Sequence, residues 1–418
     1  MNEVAILLVQ IVLIIVSGRV LAGVCRYFGQ PPVVGEIAAG ICLGPTIFGR
    51  LAPDTFGLAF PPESIPSLLA LSQLGLIFFM FLVGLEFAPE IVNERRRSVV
   101  VISHASIVVP FVLGTGLALY LYPRMSDRGV TFTAFALFLG ISMSVTAFPV
   151  LARILADRGL THTRLGNTVI ACAAVDDVTA WCVLAFVVVI ARATAVAPLL
   201  FHLAFLVVYM VVMISIVRPL LRRLASAAVK RASSEAVLAA VVILVLISAT
   251  VTELLGIHAL FGAFVAGAIL PREEKVVEAL SKHIRGLTSV VFLPLFFAVT
   301  GLRTNVGLVN TTELWTICGL ILLVAIAGKL GGAMFSARAV GMPWRDAATI
   351  GVLMNTRGLM EMVVLNIGLE IGVISRGLFT MIVLMALITT AMTTPLIDRL
   401  MRREQEEMAM SKLKEAAA

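Results

Sequence analysis

The chain has 418 residues, 60% of them apolar and only 14% charged, with a mean hydropathy of +1.05. Soluble domains run at roughly 45–50% apolar and about 25% charged, so this balance excludes a water-soluble globular protein. The roughly 250 apolar residues are used up by about a dozen membrane-spanning helices of about 20 residues each, leaving none for a second, aqueous core. The surplus of 32 Lys and Arg over 25 Asp and Glu lies in short clusters between apolar runs, which marks a cytoplasmic membrane face and not nucleic-acid binding.

The first apolar run, 3–27, follows Met-Asn-Glu instead of a basic leader start and exceeds a leader's core, so it is expected to be retained as a helix. Runs at 32–49, 67–87 and 98–121 follow, then 131–156, 163–191, 196–222, 235–254, 256–270, 287–303, 313–340, 346–369 and 375–401. Spanning backbone must satisfy its own hydrogen bonds, and these runs lack the short alternation of a barrel strand. The expected fold is therefore an all-α polytopic membrane protein with thirteen transmembrane helices. Residues 402–418 are expected to form a short charged cytoplasmic tail without a regulatory module, disordered from Met408 onward.

Orientation follows from the basic residues. An outside N-terminus puts Arg26, Arg95 to Arg97, Arg158, Arg164, Arg218 to Arg231, Arg272 to Arg285, Arg338, Arg345 and Arg399 to Lys414 in the cytoplasm. The opposite loops keep only Arg50, Arg124, Arg128, Arg192, Arg303 and Arg376. The cysteines, Cys25, Cys42, Cys172, Cys182 and Cys318, sit in apolar runs with no CxxC pair, so neither a disulfide framework nor a zinc site is indicated.

Two spans carry breaks. In "GISMSVTAFPVLARIL" Pro149 removes a backbone donor, and the preceding Ser and Thr residues can bond the freed groups. In "GVLMNTRGLMEMVV" the residues Asn355, Thr356, Arg357 and Gly358 interrupt an otherwise apolar helix. The breaks lie seven spans apart, so the two segments cross in opposite directions. That is the arithmetic of an inverted repeat, 1–191 against 235–401 with a linker helix region at 192–234. Two unrelated kinks are the plainer alternative.

An ionisable group at membrane depth costs several kcal/mol on insertion scales and is a functional-site hypothesis by default. Arg19, Glu36, Glu86, Asp176, Asp177, Glu253, Lys329, Arg357 and Glu361 qualify. Asp176 and Asp177 stand out, central in "NTVIACAAVDDVTAWCVLAF" and too deep to reach an interface. Adjacent helical residues point about 100° apart, so one carboxylate can face a neighbouring helix and the other a watery cavity. Such a group holds a proton or a hard monovalent cation, not both; pairing with basic partners is the structural alternative. Lys329, in "LLVAIAGKLGGAMFSARAV" beside Gly328, Gly331 and Gly332, is the natural counterion, either as a proton carrier or as a purely structural partner. Arg357 stays charged at any physiological pH and is read as neutralising a half-helix end or pairing with Glu361 one turn on. Thr146 and Asn355 can offer oxygens to a desolvated cation or cap exposed backbone. The histidines give no metal-ligand spacing, and no phosphate loop, zincin helix or nucleophile elbow is present, so neither a cofactor nor enzymatic activity is expected.

Seven segments in order, "PPVVGEIAAGICLGPTIFG", "LGLIFFMFLVGLEF", "TAFPVLARIL", "AVDDVTAW", "GAFVAGAIL", "FLPLFFAVTGLRTN" and "NTRGLMEMVVLNIGL", resemble the monovalent cation:proton antiporter family of bacterial sodium/proton and potassium/proton antiporters and plant-type exchangers. The resemblance covers nearly the whole chain. It implies two crossed broken helices and a homodimer. Each protomer of residues 1–401 then has a core domain from spans 4–6 and 11–13 and a dimerisation domain from the rest. It also implies Asp177 as the transport carboxylate and monovalent-cation site, Asp176 as its partner and Lys329 as the core lysine. The paired aspartates favour electrogenic sodium/proton exchange, whereas the "NTRGLMEMVVLNIG" segment is similar to plant-type exchangers, several of which handle potassium.

The resulting expectation is a multi-pass antiporter of the bacterial inner membrane, exchanging Na+ by preference, or K+, for H+ by alternating access. A potassium efflux system of the same family is the near alternative. A cation channel needs a carbonyl filter that the sequence does not offer. An intramembrane aspartyl protease needs aspartates converging from different helices, whereas these two are adjacent on one.

Overall fold

The structure, a computed structural model, describes residues 3–86, 96–161, 163–192, 196–223, 234–255, 258–271 and 284–417. Every regular element among them is a helix. The longer ones, in chain order, are α1 (Glu3–Tyr27), α2 (Pro32–Leu43), α3 (Ile65–Glu86), α4 (Arg96–Met125), α5 (Phe132–Ser144), α6 (Phe148–Asp157), α7 (Arg164–Arg192) and α8 (Val196–Val212). There follow α9 (Ser234–Leu254), α10 (Ala259–Ile269), α11 (Leu293–Arg303), α12 (Thr312–Ala339), α13 (Trp344–Met354), α14 (Leu359–Glu370) and α15 (Arg376–Ala417).

Among the described residues eleven helical segments are long and apolar enough to cross a membrane, or up to twelve when the bent pair α13 and α14 is taken as one span. The ninth of the thirteen predicted spans, 256–270, yields only the 11-residue α10. At 1.5 Å per residue that helix is about 16 Å long, against a hydrocarbon layer of about 30 Å. Its start is fixed by His258, which holds a positive φ of 107° and caps α10 through its ring. At the other end of the chain, α15 continues to Ala417 where an irregular tail was expected. The arginine-rich stretches at 218–231 and 272–285 lie largely outside the described residues, as does Arg95.

The chain divides into two compact units. The first comprises Met1–Arg19, Glu36–Pro89 and Trp181–Arg303; the second comprises Val20–Gly35, Glu90–Ala180 and Thr304–Ala418.

In the first unit α3 and α10 meet backbone to backbone. A methyl group at Gly84 would strike the Phe264 carbonyl oxygen, and one at Gly267 the Phe81 carbonyl oxygen. Small residues permit such approach where no hydrophobic force between helices exists. Gly84→Leu is expected to lower stability by about 1–3 kcal/mol through overpacking. Gly116→Leu, at a glycine whose added carbon would touch nothing within 4 Å, serves as control; equal melting midpoints in detergent would refute the packing account. Two of the flagged charges in this unit have local employment. Glu253 accepts from the Ala259 N–H at 2.8 Å, with Arg192 3.8 Å away, and Arg19 donates to the Ser289 carbonyl at 3.4 Å.

In the second unit α12 lies against α4 through Gly328, whose position crowds Pro110, and Gly332, which faces the Ala105 carbonyl. Gly331, expected to share this role, meets only Phe335 of its own helix. Lys329 is thereby held between two points of close approach, next to α4. The turn just past the helix end is made at Gly341, whose φ of +91° is one an L side chain rarely adopts. There the Met342 N–H bonds back to the Ala337 carbonyl.

Candidate cation-binding site

Both breaks lie in the second unit and touch. After α5 the chain is extended at Val145, and α6 restarts with Pro149 in its first turn, where a missing N–H costs nothing. After α13 the chain opens through Asn355 to Gly358, bending the pair by 43°. The Ala147 N–H donates to the Thr356 carbonyl at 2.9 Å, and the Thr146 hydroxyl lies 3.3 Å from the Met354 carbonyl. Gly358 faces the first break closely: a Cβ there would sit 3.0 Å from Val150 and 3.1 Å from Ala147, so one of these side chains would have to yield by a few tenths of an ångström.

The freed carbonyls at the end of α5 are taken by cations. Arg357 donates through Nη1 to the Ser142 carbonyl at 2.7 Å and through Nη2 to that of Met143 at 2.6 Å. Lys329 donates to the Ser144 carbonyl. A helix C-terminus carries partial negative charge, so two cationic side chains both neutralise it and satisfy acceptors that no water can reach. Arg357 also pairs with Glu361 at 3.3 Å, and both are fully buried. The two readings of Arg357 therefore hold together.

Asp176 and Asp177, on α7, are 1% and 3% exposed. Asp176 directs one oxygen, Oδ2, at three donors: the Ser106 hydroxyl at 2.7 Å, the Thr146 hydroxyl at 2.8 Å and Lys329 Nζ at 2.9 Å. Lys329 completes its set with the Ser106 carbonyl at 2.8 Å. Buried oxygens without a hydrogen-bond partner gather on the same elements: Oδ1 of Asp176, Asp177 and Asn355, Oγ1 of Thr356 and Oε1 of Glu361. Unsatisfied acceptors are expensive in a low-dielectric interior, and these oxygens, with the likewise unpartnered Arg357 Nε beside them, suit a hard cation or a proton. Among the described residues no group of three or more His, Cys, Asp or Glu forms a multivalent metal site.

All seven candidate residues thus occupy one unit. Asp176, Lys329 and Thr146 form one hydrogen-bonded cluster, and Arg357 and Glu361 a second; Asp177 and Asn355 carry unpartnered oxygens. Sequence reasoning missed Ser106 on α4 and Thr390 on α15, the latter bonded to the Arg357 backbone. A lone Ser or Thr in an apolar helix is too common to be a signal.

The family model for sodium/hydrogen exchanger, transmembrane, matches residues 11–403. The chain is 42% identical to the Na(+)/H(+) antiporter NhaS4 of Synechocystis over 96% of its own length and 98% of that protein. It is 38% identical to Cation/H(+) antiporter 18 of Arabidopsis thaliana over 93% of its length, spanning 48% of that longer protein. Its fold is similar to that of the sodium proton antiporter MjNhaP1 from Methanocaldococcus jannaschii, with a TM-score of 0.68 at 14% identity over 95% of this chain and 96% of that one. The chain belongs to the sodium/hydrogen exchanger family and is a multi-pass membrane protein with that family's antiporter fold.

Proposed function

We propose that the chain is a secondary active antiporter exchanging a monovalent cation, sodium by preference, for protons, with Asp177 as the carboxylate that takes each in turn. The observation that carries this reading is the buried charge count around the two breaks. Three carboxylates (Asp176, Asp177, Glu361) face two cationic side chains (Lys329, Arg357), so the ionised cluster is one positive charge short of neutrality. An uncompensated charge in the bilayer is costly, and a single sodium ion or a single proton removes that cost equally well. Competition for one vacancy in charge couples the two fluxes without any contact between the ions.

The oxygens of Asn355 and Thr146 contribute ligands as the cation arrives; the cation also takes over the charge that Lys329 holds against Asp176, so the lysine gives up a second proton, the cation-loaded cluster carries one negative charge more than the proton-loaded one, and exchange is electrogenic. The unit containing Asp177 is the moving core of alternating access, and the other is the dimerisation domain of a homodimer. The basic residues support an outside N-terminus and a cytoplasmic C-terminus in a bacterial inner membrane. In this reading the protein serves pH homeostasis.

The test is purified protein in liposomes with a trapped pH dye, challenged in turn with sodium, potassium and lithium, then repeated under a clamped membrane potential. Sodium is expected to drive the largest proton movement, with net charge crossing per cycle. Cation flux without counter-moving protons would establish a channel instead; a larger response to potassium would reverse the cation preference.

A further inference from the structure

We propose that Thr390 is a positioning residue for cation exchange, acting through the backbone of Arg357; this rests on the antiport reading above. The side chain is 2% exposed. Its hydroxyl accepts from the Arg357 N–H at 3.0 Å and donates to the Arg357 carbonyl at 2.8 Å. A single hydroxyl therefore satisfies both polar groups of one residue inside the break, where no helical partner exists for either.

The neighbouring threonines behave differently. Thr389 donates to the Met385 carbonyl and Thr393 to the Thr389 carbonyl, each one turn back on its own helix. That internal bond is the ordinary resting place for a threonine in a membrane helix. Thr390 alone of the three gives it up and spends both its donor and its acceptor on another segment. The neighbourhood explains what this achieves. Arg357 is the residue whose guanidinium closes the end of α5 at Ser142 and Met143, while the adjoining Thr356 carbonyl accepts from Ala147 in the first break. Fixing the Arg357 peptide fixes the origin of both links. Among the described residues the Thr390 hydroxyl bonds only to the Arg357 backbone and to no candidate ligand oxygen, so its influence on the cation passes through the geometry of the two breaks.

The experiment compares Thr390→Val, which keeps the shape and removes the hydroxyl, with Thr390→Ser, which keeps the hydroxyl, and Thr389→Val as a neighbour control. In liposomes Thr390→Val is expected to raise the apparent KM for sodium about tenfold, with a smaller change in maximal rate. Thr390→Ser and Thr389→Val should stay near wild type. Amide hydrogen exchange of peptides covering residues 355–361, read without any transport, should accelerate in Thr390→Val only. Identical KM and identical exchange in the two valine variants would overturn the proposal. So would failure of both Thr390→Val and Thr390→Ala to give folded protein, since the hydroxyl would then be supporting the fold and not the site. Absence of transport by wild-type protein would count against antiport, while the amide exchange would still decide whether Thr390 holds the break.

Discussion

Asp177→Asn protein, reconstituted in liposomes, is expected to lose sodium-driven proton movement by about 100-fold or more, the equivalent of about 2.7 kcal/mol, while melting no lower than wild type. Asparagine keeps the shape and a carbonyl oxygen, but it can neither bind a proton near neutral pH nor balance an incoming cation. Asp177 has an oxygen with no partner and forms no ion pair among the described residues, so removing its charge takes away a burial cost and breaks no contact. Loss of transport with retained stability separates a transport carboxylate from a structural one. Residual exchange above about one tenth of wild type, a deficit of less than about 1.4 kcal/mol, would move the role elsewhere.

The opposite pattern is expected at the neighbouring pair. Lys329→Met leaves Asp176 buried at 1% exposure without its cation. It also strands the Ser144 and Ser106 carbonyls that Lys329 holds. Breaking one side of a buried pair costs about 3–5 kcal/mol, because the remaining charge has no compensation. Adding Asp176→Asn removes that charge, so the double variant should regain most of the lost stability. Unfolding in detergent, followed by tryptophan fluorescence, supplies the four corners of the cycle. Additive losses would show that the two residues act independently despite their 2.9 Å separation. The Asp176 and Asp177 variants thus distinguish two adjacent carboxylates by opposite signatures.

What the sequence disclosed and what it withheld follow one physical line. Asp176, Asp177, Lys329, Arg357 and Glu361 were legible because a charge in an apolar run is too costly to be incidental. Which of them pair was only partly legible: Glu361 lies one helical turn from Arg357, a relation readable from numbering. The capture of the Ser142, Met143 and Ser144 carbonyls depends instead on where α12 and α14 lie against α5. Ser106 and Thr390 were invisible for a different reason. A hydroxyl residue bonded to its own helix and one bonded across to another have the same sequence signature. Helix length failed in two places. The apolar content of 256–270 indicated a span, but His258 delays its start, and the polar composition after residue 401 suggested a stop where α15 continues. Gly331 is indistinguishable from Gly328 and Gly332 in the sequence and differs only in the direction it faces.

The occupied end of α5 bears on how ions are told apart. Ion filters built from backbone carbonyls rank ions through a ring of fixed dipoles. Here the three carbonyls best placed to form such a ring are already spent on Arg357 and Lys329. In the antiport reading proposed above, a transported ion meets carboxylate, amide and hydroxyl oxygens on separate segments, which can close around ions of different radius. Discrimination then rests on the strong field of a carboxylate against the energy of shedding hydration. That is a graded preference for small ions, tunable by a single side chain, in place of a rigid cutoff by size.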